Sequence, residues 1–596
     1  MTSKFALRSP IKQPARLLLL GAAFLVSGGA IAYLNFSQRV PRSLSPAGTQ
    51  LVPQTAVLAM TVTTDELTWT RLRQFGTADS QQQFDAMLSA WKARLTDSGY
   101  RFKRDIKPWI GDRVTLAVLS AQPPASADPS EQPEGLATAA QNLVLIAPIA
   151  DPLKAKSLLA EGPSGSDVSQ QERTYRGIDT QTITTKDGET FETAVLGTNW
   201  LLLASTTDAL DQAIDTYKGG RSLLDIAGYR QAATRAQPPQ PPGKNFAQLY
   251  LNIPAATQIL EVPPTDPAGA PNPPKRGSIL PLQGSQGIFA TALIESEGIR
   301  FQGTSWLFPE KDLAYSNLSN AAEEMPRRLP SDTLMMMSGS NLQQLWQSFS
   351  QGNSSPPFFP NPQNLKAGLL TQTGLDLDED IMPWAAGEFA LGLLPPAVQD
   401  AQTDAPTDSD ANDSIGDPSE RPADPAVESA PLLIMVQTND RKLAESAWAQ
   451  LDDVMTSRYR YQVETQRFEG GSITQWISPF QGVKFSHGWL PGNVAFFAIG
   501  EGAAEAIAPA PDRALASSPL FQTLNGQTDI PNNGHFYIDL AQINTLEGNI
   551  FPLPQLSPAG PTAAIEAIGL TSTVADRTMD YDLYIKLAKG AKPKPL

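Results

Sequence analysis

The chain contains no cysteine, and only two of its 596 residues are histidines. The lack of cysteine excludes disulfide bonds, thiolate nucleophiles, cysteine-ligated metals and a lipid-modified N-terminal cysteine. The histidines, His487 and His535, form no HExxH motif, so a metal site would need carboxylates alone. We therefore expect neither a metal nor another cofactor.

Familiar catalytic and binding motifs are also lacking. The sequence has neither a glycine-rich phosphate-binding loop nor a GxSxG nucleophile motif. The acidic stretch DSDANDSIGD at 408–417 is similar to a calcium-binding loop, but Asp413 occupies the sixth position, where glycine is needed for the sharp turn. The sequence therefore predicts that the protein is not an enzyme and has no catalytic, cofactor-binding or metal-binding residues.

Basic residues are concentrated at the N-terminus. The formal net charge at pH 7 is −16. Residues 1–42 contain six basic residues and no acidic residue, which leaves a net charge of −22 for residues 43–596. A body this acidic repels phosphate groups, so we expect no nucleic acid partner.

A long apolar run occurs only near the N-terminus. Residues 17–34 read LLLLGAAFLVSGGAIAYL, and these 18 uncharged residues are just enough to span a hydrocarbon core. The four basic residues within 1–16 predict a cytoplasmic tail before a single-pass membrane anchor. The alternative is a cleaved signal peptide with AIA at 30–32 as its cleavage site. Both interpretations place most of the chain outside the cytoplasm.

The chain repeats one pattern in its two halves. The stretch RDIKPWIGD at 104–112 is matched by EDIMPWAAG at 379–387, an offset of 275 residues. Further matches follow in the same order, between 143–159 and 432–448 and between 248–253 and 535–540. Matches in one order over about 250 residues predict an internal duplication.

Each half is predicted to be an α+β domain with a mostly antiparallel sheet and packed helices, because strand patterns outnumber crossover helices. We place the first repeat at 45–310 and the second at 326–590. The stretches 121–140 and 396–430 are rich in proline and small or acidic residues. Such segments cannot bury a core, so we expect them to be disordered loops.

The shared DI-PW motif predicts the same tight turn before a strand in each half, and we call this turn the corner. Its residues are Asp105, Pro108 and Trp109 in the first half, and Asp380, Pro383 and Trp384 in the second. The aspartate can bond backbone N–H groups of the turn, the proline makes the entry rigid, and the tryptophan packs beneath the following strand. We interpret these six residues as structural rather than as a binding site.

Charges before this corner change sign between the halves. The first half has Arg101, Lys103 and Arg104, and the second has Asp376, Asp378 and Glu379 at the matching positions. A catalytic carboxylate pair would not survive this change in both halves. Two explanations stay open: independent drift on two solvated loops, or pairing of opposite charges across an approximate twofold axis.

One of the two histidines lies in the last matched stretch of the second half and has no histidine counterpart in the first half. His535 corresponds to Gln248 in the first half, so a histidine-based triad would exist in one half only. We expect His535 to be a partly buried, hydrogen-bonded residue on a strand.

The apolar N-terminal segment, the entry strand LVPQTAVLAMTV at 51–62, the DI-PW-G corner and the duplicated layout resemble a cyanobacterial family of membrane-anchored proteins, catalogued only as a domain of unknown function. The resemblance covers about residues 45–590. It implies that the chain lies in the periplasm or lumen of a photosynthetic bacterium, at the plasma or thylakoid membrane. It supplies no catalytic residues.

Three classes of function stay open. The sequence favours a non-catalytic binding or assembly factor that is held at a membrane by its N-terminal helix and has an unknown protein partner. The second class is a carboxylate-dependent hydrolase of cell-wall glycans. The third is a solute-binding protein with a ligand between the halves, which aromatic residues converging on the inter-half cleft would favour.

Overall fold

The computed structural model describes the part of the chain that follows the apolar N-terminal run, with gaps. The described residues are 46–97, 102–120, 142–161, 169–184, 188, 190–236, 245–260, 285–308, 319–351, 361–396, 430–479, 484–526, 531–546 and 561–591. We refer to the described residues up to 308 as the N-terminal segment and to those from 319 as the C-terminal segment.

The architecture is α+β, and the 20 strands within the described residues form one antiparallel sheet. The strands are β1 Leu58–Thr63, β2 Arg113–Val118, β3 Leu143–Pro148, β4 Ser169–Tyr175, β5 Ile178–Thr184, β6 Thr190–Leu196, β7 Trp200–Ala204, β8 Asn245–Asn252, β9 Ser285–Ile294, β10 Gly298–Leu307, β11 Met335–Gly339, β12 Phe389–Leu393, β13 Leu432–Gln437, β14 Gln462–Phe468, β15 Gly471–Ile477, β16 Phe485–Leu490, β17 Val494–Ile499, β18 Gly534–Asp539, β19 Ile565–Ala575 and β20 Thr578–Leu587. The predicted α+β class and antiparallel sheet are confirmed.

The strands lie in the order β4-β5-β6-β7-β3-β2-β1-β8-β9-β10-β20-β19-β18-β11-β12-β13-β17-β16-β15-β14. Outward from β10 the order is β10-β9-β8-β1-β2-β3-β7-β6-β5-β4. Outward from β20 the strands follow the same order, with each strand number higher by ten. The central pair of β10 and β20, which we call the seam, joins the N-terminal and C-terminal segments.

Burial along the sheet follows the sequence of each strand. The inner strands β3 (LVLIAP) and β17 (VAFFAI) are rich in branched and aromatic residues and are mostly buried. The edge strands β4 (SQQERTY) and β14 (QVETQRF) are polar and mostly exposed. Polar edges of this kind oppose further strand pairing, so the core is confined to the inner strands.

The helices connect the strands along the chain and pack against the sheet. Their bounds are α1 Glu66–Leu72, α2 Ala78–Asp97, α3 Pro152–Glu161, α4 Thr207–Tyr217, α5 Tyr229–Arg235, α6 Ile253–Leu260, α7 Leu342–Ser350, α8 Pro362–Thr373, α9 Arg441–Ser457, α10 Pro519–Asn525 and α11 Leu540–Ile543. The side chains of Asp151 and Asp440 cap the N-termini of α3 and α9, because they accept hydrogen bonds from backbone N–H groups of the first helical turn.

Two short helices flank the seam. Helix α5 packs against β9 and β10, and helix α10 packs against β18, β19 and β20. Each helix buries residues spaced at i, i+3 and i+4, which lie on one helical face. In α5 these are Tyr229, Ala232 and Ala233, and in α10 they are Phe521, Leu524 and Asn525. Helix α10 thus places an asparagine on its buried face.

Some predicted features lie outside the described residues. They include the apolar run 17–34, the loop 121–140, the loop 396–430 except for its two end residues, and the calcium-like stretch 408–417. Among the residues that the structure describes, no helix combines the length and the apolar character needed to cross a membrane.

Candidate functional site

The predicted corners lie inside the core of their own segments. Trp109 and Trp384 are each only 3% exposed. The indole Nε1 of Trp109 donates to the backbone oxygen of Asp105 at 2.6 Å, and that of Trp384 donates to the backbone oxygen of Asp380 at 2.9 Å. Each tryptophan therefore closes its turn through the carbonyl four residues earlier and packs with the residues beneath the sheet.

The remaining corner residues differ between the segments. The carboxylate of Asp380 accepts from the backbone N–H of Asp376 at 2.7 Å, whereas that of Asp105 lies 3.7 Å from the Arg104 guanidinium. Pro108 is exposed and Pro383 is half-buried. The two corners belong to separate hydrophobic clusters, that of Trp109 in the N-terminal segment and that of Trp384 in the C-terminal segment.

The side chains of Arg101 and Lys103, the matching cations of the first half, lie outside the described residues, and Asp376 and Asp378 bond other groups. Asp378 forms an ion pair with Lys366 and accepts from the indole Nε1 of Trp346 at 2.5 Å. The Lys366 and Trp346 hydrogen bonds lower the pKa of Asp378. Asp376 caps its own turn by accepting from the N–H groups of residues 378 and 379. These partners all lie in the C-terminal segment.

The two histidines also lie apart. His487 is buried against Trp448, with ring centroids 4.6 Å apart, and its Nε2 lies 2.8 Å from Asp452 Oδ1. His535 is buried on β18, where its Nδ1 lies 3.0 Å from the hydroxyl of Thr571. The expectation of a buried, hydrogen-bonded His535 on a strand is confirmed. Within the described ranges, no three metal-ligating side chains lie close enough to hold an ion.

The seam carries a pocket, which we call the seam pocket. It has a volume of about 330 Å³ and lies where α5, β10, α10, β19 and β20 meet. Its lining residues are Arg235, Ala236, Gln302, Gly303, Thr304, Asn525, Gly526, Asn532, Thr571, Thr573, Asp580, Tyr581 and Asp582. The lining draws on both segments, and most of its residues have polar side chains.

Ion pairs connect the two segments across this pocket. Arg235 contacts Asp580 at 2.6 Å, and Arg300 contacts Asp582 at 2.7 Å. Both cations belong to the N-terminal segment and both acids to the C-terminal segment. Thr304 also donates its hydroxyl to Asp580 at 2.7 Å. Arg235, Asp580 and Asp582 line the pocket, whereas Arg300 pairs with Asp582 from outside the lining.

The environment of Asp582 combines burial with pairing. Burial raises the pKa of Asp582, and the hydrogen bonds and charge supplied by Arg300 only partly oppose this effect. The guanidinium of Arg300 also stacks over the ring of Tyr584, with 4.7 Å between the guanidinium carbon and the ring centroid. Arg300 is therefore held in one place by an acid on one side and an aromatic ring on the other.

Two residues that line the pocket each have a buried side-chain oxygen without a hydrogen-bond partner. Asn525 is only 6% exposed, and its side-chain NH2 donates to the backbone oxygens of residues 536 and 570, at 2.9 Å and 3.1 Å. Its Oδ1 is buried and unpaired. Gln302 has the same pattern, because it donates to Asp582 while its buried Oε1 accepts nothing. A buried acceptor without a donor costs about 1–3 kcal/mol.

The model of one protein family matches most of the chain. Residues 18–587 match the family described as "Protein of unknown function (DUF3352)". The chain belongs to this family. A comparison with curated proteins finds no significant match for this member.

Solved structures similar to this DUF3352 chain include three crystal forms of TP0453. Forms III, IV and I have sequence identities of 9%, 10% and 9% and TM-scores of 0.23, 0.23 and 0.20. Each match covers 46% of this chain, and the matches cover 84%, 86% and 82% of the respective TP0453 chains. TM-scores this low do not support a common fold.

A polar row runs through the DUF3352 sheet beneath the seam pocket. In register, Gln248 lies beside Thr291, Thr291 beside Gln302, Gln302 beside Asp582, Asp582 beside Thr571, and Thr571 beside His535. Cross-strand neighbours project to the same face of a sheet. The face that α5 and α10 cover therefore has a polar centre, where an apolar one would be expected for a buried sheet.

Sequence reasoning missed every lining residue of this pocket. Gln302 and Asp582 sit in strands of alternating polarity, where polar residues normally face solvent. Asn525 gave the one available signal, because a polar residue occupies the i+4 position of an apolar helical face. The inter-segment pairing of β10 with β20 gave no local signal at all.

We expect the contributions of Arg235 and Asp580 to the free energy of unfolding to be non-additive, because the two side chains form an ion pair. A double-mutant cycle with Arg235→Ala and Asp580→Ala in this DUF3352 chain should give an interaction energy of about 0.5–1 kcal/mol, because the pair is partly exposed. Urea unfolding of the four proteins would measure it. The exposed pair Arg441 and Glu445 of α9 serves as a control, with an expected value of about 0.3–0.5 kcal/mol. No coupling at Arg235 and Asp580 would contradict this role.

Proposed function

We propose that the protein is a non-catalytic, membrane-anchored binding protein that takes a small polar solute in the seam pocket. One observation carries this proposal: polar side chains of both segments converge on one pocket, among them Asn525, a polar residue on the buried face of α10. A cavity with convergent polar side chains is typical of a site for a small polar molecule.

We propose further that the two segments are duplicated halves. The registers support this, since Met60 faces Leu116 in β1 and β2 while Met337 faces Leu391 in β11 and β12. Leu116 and Leu391 are also matched in the sequence repeat. On either side of the seam a threonine neighbours the central pair: Thr291 lies beside Gln302, and Thr571 lies beside Asp582. The Gln302–Asp582 pair would then lie on the approximate twofold axis, where ligand sites between halves commonly form.

The membrane location is part of the proposal. The uncharged run 17–34 and the basic residues before it support a single-pass anchor with a cytoplasmic N-terminus. The resemblance of the sequence motifs supports a cyanobacterial source and a plasma or thylakoid membrane. The seam pocket would then face the periplasm or the lumen. A protein partner in that compartment is compatible with the same anchor.

A carboxylate-dependent hydrolase of glycans is the second candidate. Asp580 and Asp582 line one pocket, and the raised pKa of Asp582 is a property that a general acid needs. Each carboxylate is paired with an arginine, however, which reduces its use as a proton donor or nucleophile. This pairing favours binding over hydrolysis. Release of reducing sugar from cell-wall glycan, lost in Asp582→Asn, would favour the hydrolase instead.

Blocking the pocket tests the binding function. Thr573 lines the pocket and lies on β19, so Thr573→Trp should fill the cavity. We expect a panel of sugars, polyols, amino acids and polyamines to contain a solute that raises the melting temperature of the wild type but not of Thr573→Trp. Gln466→Trp on the exposed edge strand β14 is the matched control and should respond like the wild type. A solute that stabilises Thr573→Trp equally would place its site elsewhere.

A further inference from the structure

The N-terminal segment exposes apolar side chains around its corner. Pro108 of the corner is exposed, and so are Ala150, Pro152 and Leu153, which follow β3. Leu153 is 79% exposed, the highest value among the large apolar residues that the structure describes. We call these four residues the apolar corner patch. Neighbouring exposed apolar residues of this kind mark a surface that contacts another molecule or a membrane.

Backbone hydrogen bonds bring the patch to one end of the sheet. The backbone oxygen of Trp109 accepts from the N–H of Ala150 at 2.6 Å, which joins the corner to the residues after β3. The N–H of Thr64 donates to the backbone oxygen of Asp112 at 2.8 Å, which joins the turn after β1 to the same place. Leu67, which is 55% exposed, follows in the first turn of α1. Exposed apolar residues therefore gather where β1 ends, β2 begins and β3 ends.

The corner of the C-terminal segment has the same backbone geometry but a polar surface. There the backbone oxygen of Trp384 accepts from the N–H of Asn439 at 3.3 Å. Counted from the N-cap residues of α3 and α9, polar residues occupy the patch positions that follow the strand: Asn439, Arg441 and Lys442 stand where the first segment has Ala150, Pro152 and Leu153. The corner therefore folds without apolar side chains at these positions, and their presence in the N-terminal segment needs another explanation.

The chain enters the fold beside the apolar corner patch. The hydroxyl of Thr115, the third residue of β2, donates to the backbone oxygen of Ala47 at 2.5 Å. Gly48 lies so close to β3 that a Cβ would come within 2.7 Å of the Ile146 side chain. Only the stretch 35–45 separates this point from the apolar run 17–34. Eleven residues span at most about 40 Å, so an anchor at 17–34 keeps this end of the sheet close to the bilayer.

The position of the patch identifies what covers it. Resting on the membrane anchor proposed above, we infer that the apolar corner patch inserts into the interfacial layer of the same bilayer that holds residues 17–34. Removing exposed apolar side chains from water drives this contact. The short tether also gives the patch a high effective concentration at the lipid surface, so a small apolar area is enough. The second corner lies on the other side of the seam, and its polar residues remain in water.

The contact does not depend on the charge of the lipid headgroups. The basic residues beside the patch each lie near an aspartate, since Arg104 is 3.7 Å from Asp105 and Lys154 is 3.1 Å from Asp151. These charges offset one another, so the patch has no excess positive charge for anionic lipids to attract. Insertion should therefore occur in zwitterionic lipid and persist in high salt.

Quenching by labelled lipid tests the inference, and the lack of native cysteine allows a label at one chosen site. The full-length chain with Leu153→Cys is labelled with the fluorophore NBD and reconstituted in phosphatidylcholine vesicles whose acyl chains carry nitroxide groups. We expect blue-shifted emission and severalfold stronger quenching than for Lys442→Cys, which is labelled at the matching position of the second corner. The difference should be the same in high salt.

A second variant exchanges the surface of one corner for that of the other. The combination of Ala150→Asn, Pro152→Arg and Leu153→Lys gives the first corner the residues of the second. A label at Pro108→Cys should be quenched by lipid nitroxides in the otherwise unchanged chain and should lose this quenching in the triple variant. The second corner folds with these residues, so we expect the variant to fold, and circular dichroism with thermal melting checks this.

The outcomes separate this surface from the anchor. Protein that does not float with the vesicles after a carbonate wash lacks the anchor, and both proposals then fail. If the protein floats but the label at 153 is quenched no more than the label at 442, the anchor stands and the inference is wrong. A label at 153 that is shielded from water-soluble quenchers but not reached by lipid nitroxides would show a protein contact, such as a second copy of the chain, and would also overturn it.

Discussion

Trp384→Ala should lower the free energy of unfolding by about 3–5 kcal/mol, the usual cost of removing a large buried aromatic side chain. Trp384 packs beside Trp448, with ring centroids 6.0 Å apart, within the apolar core under the C-terminal part of the sheet. Its indole also closes the corner by donating to the backbone oxygen of Asp380. The substitution therefore removes a core side chain and leaves a buried carbonyl without its donor.

Denaturant unfolding followed by far-ultraviolet circular dichroism would measure this loss without depending on tryptophan fluorescence. Trp109→Ala should cost a similar amount, because Trp109 is equally buried and donates in the same way to Asp105. Trp384→Phe retains most of the packing and should cost less than the alanine variant. Leu153→Ala is the surface control, since Leu153 is 79% exposed, and should change stability by under about 0.5 kcal/mol. Unchanged unfolding of Trp384→Ala would show that the corner does not stabilise the fold.

His535 should make the protein less stable in mild acid. Burial lowers the pKa of His535 from 6.5 to about 4 in the folded state. Between these two values the unfolded chain binds the proton more readily than the folded chain does, so stability falls as the pH falls through this range. The full difference corresponds to about 3 kcal/mol, at about 1.4 kcal/mol per pKa unit, and is reached near pH 4.

Urea unfolding of the wild type and His535→Gln at several pH values would reveal this contribution. The carboxylates titrate in both proteins, so the informative quantity is the difference between them. Glutamine is a suitable replacement because Gln248 occupies the matching place in the polar row, beside Thr291. The wild type should lose about 3 kcal/mol more than the variant between pH 7 and pH 4. Equal losses would mean that His535 takes up a proton in the folded state without penalty.

Much of the architecture was accessible from the sequence. Alternating or apolar runs at 55–62, 142–150 and 333–338 are typical of strands, and they contain most of β1, all of β3 and most of β11. The N-cap residues Asp151 and Asp440 were recognisable because capping depends on backbone groups only two or three residues away. The corners were also readable, since the tryptophan bonds the carbonyl of a residue four positions earlier.

The candidate site could not be predicted from the sequence in the same way. The sign change between Arg101, Lys103 and Arg104 and their acidic counterparts left drift and pairing open, and it gave no indication of the complementary charges that join the segments. They are Arg235, Arg300, Asp580 and Asp582. Each member of these pairs is separated from its partner by hundreds of residues, so no local spacing connects them. Asp378 forms an ion pair with Lys366 and accepts a hydrogen bond from the indole of Trp346, and both partners lie in its own segment.

The sequence by itself determined the α+β class, the positions of many strands, the buried tryptophan corners and the lack of cysteine chemistry. These features follow from side-chain periodicity and from contacts between residues close in the chain. The tertiary structure alone decided that β10 pairs with β20, that α5 and α10 flank this pair, and that Gln302, Asn525 and Asp582 meet around one pocket. Strand pairing satisfies backbone groups of almost any sequence, so the choice of partner depends on packing over the whole sheet.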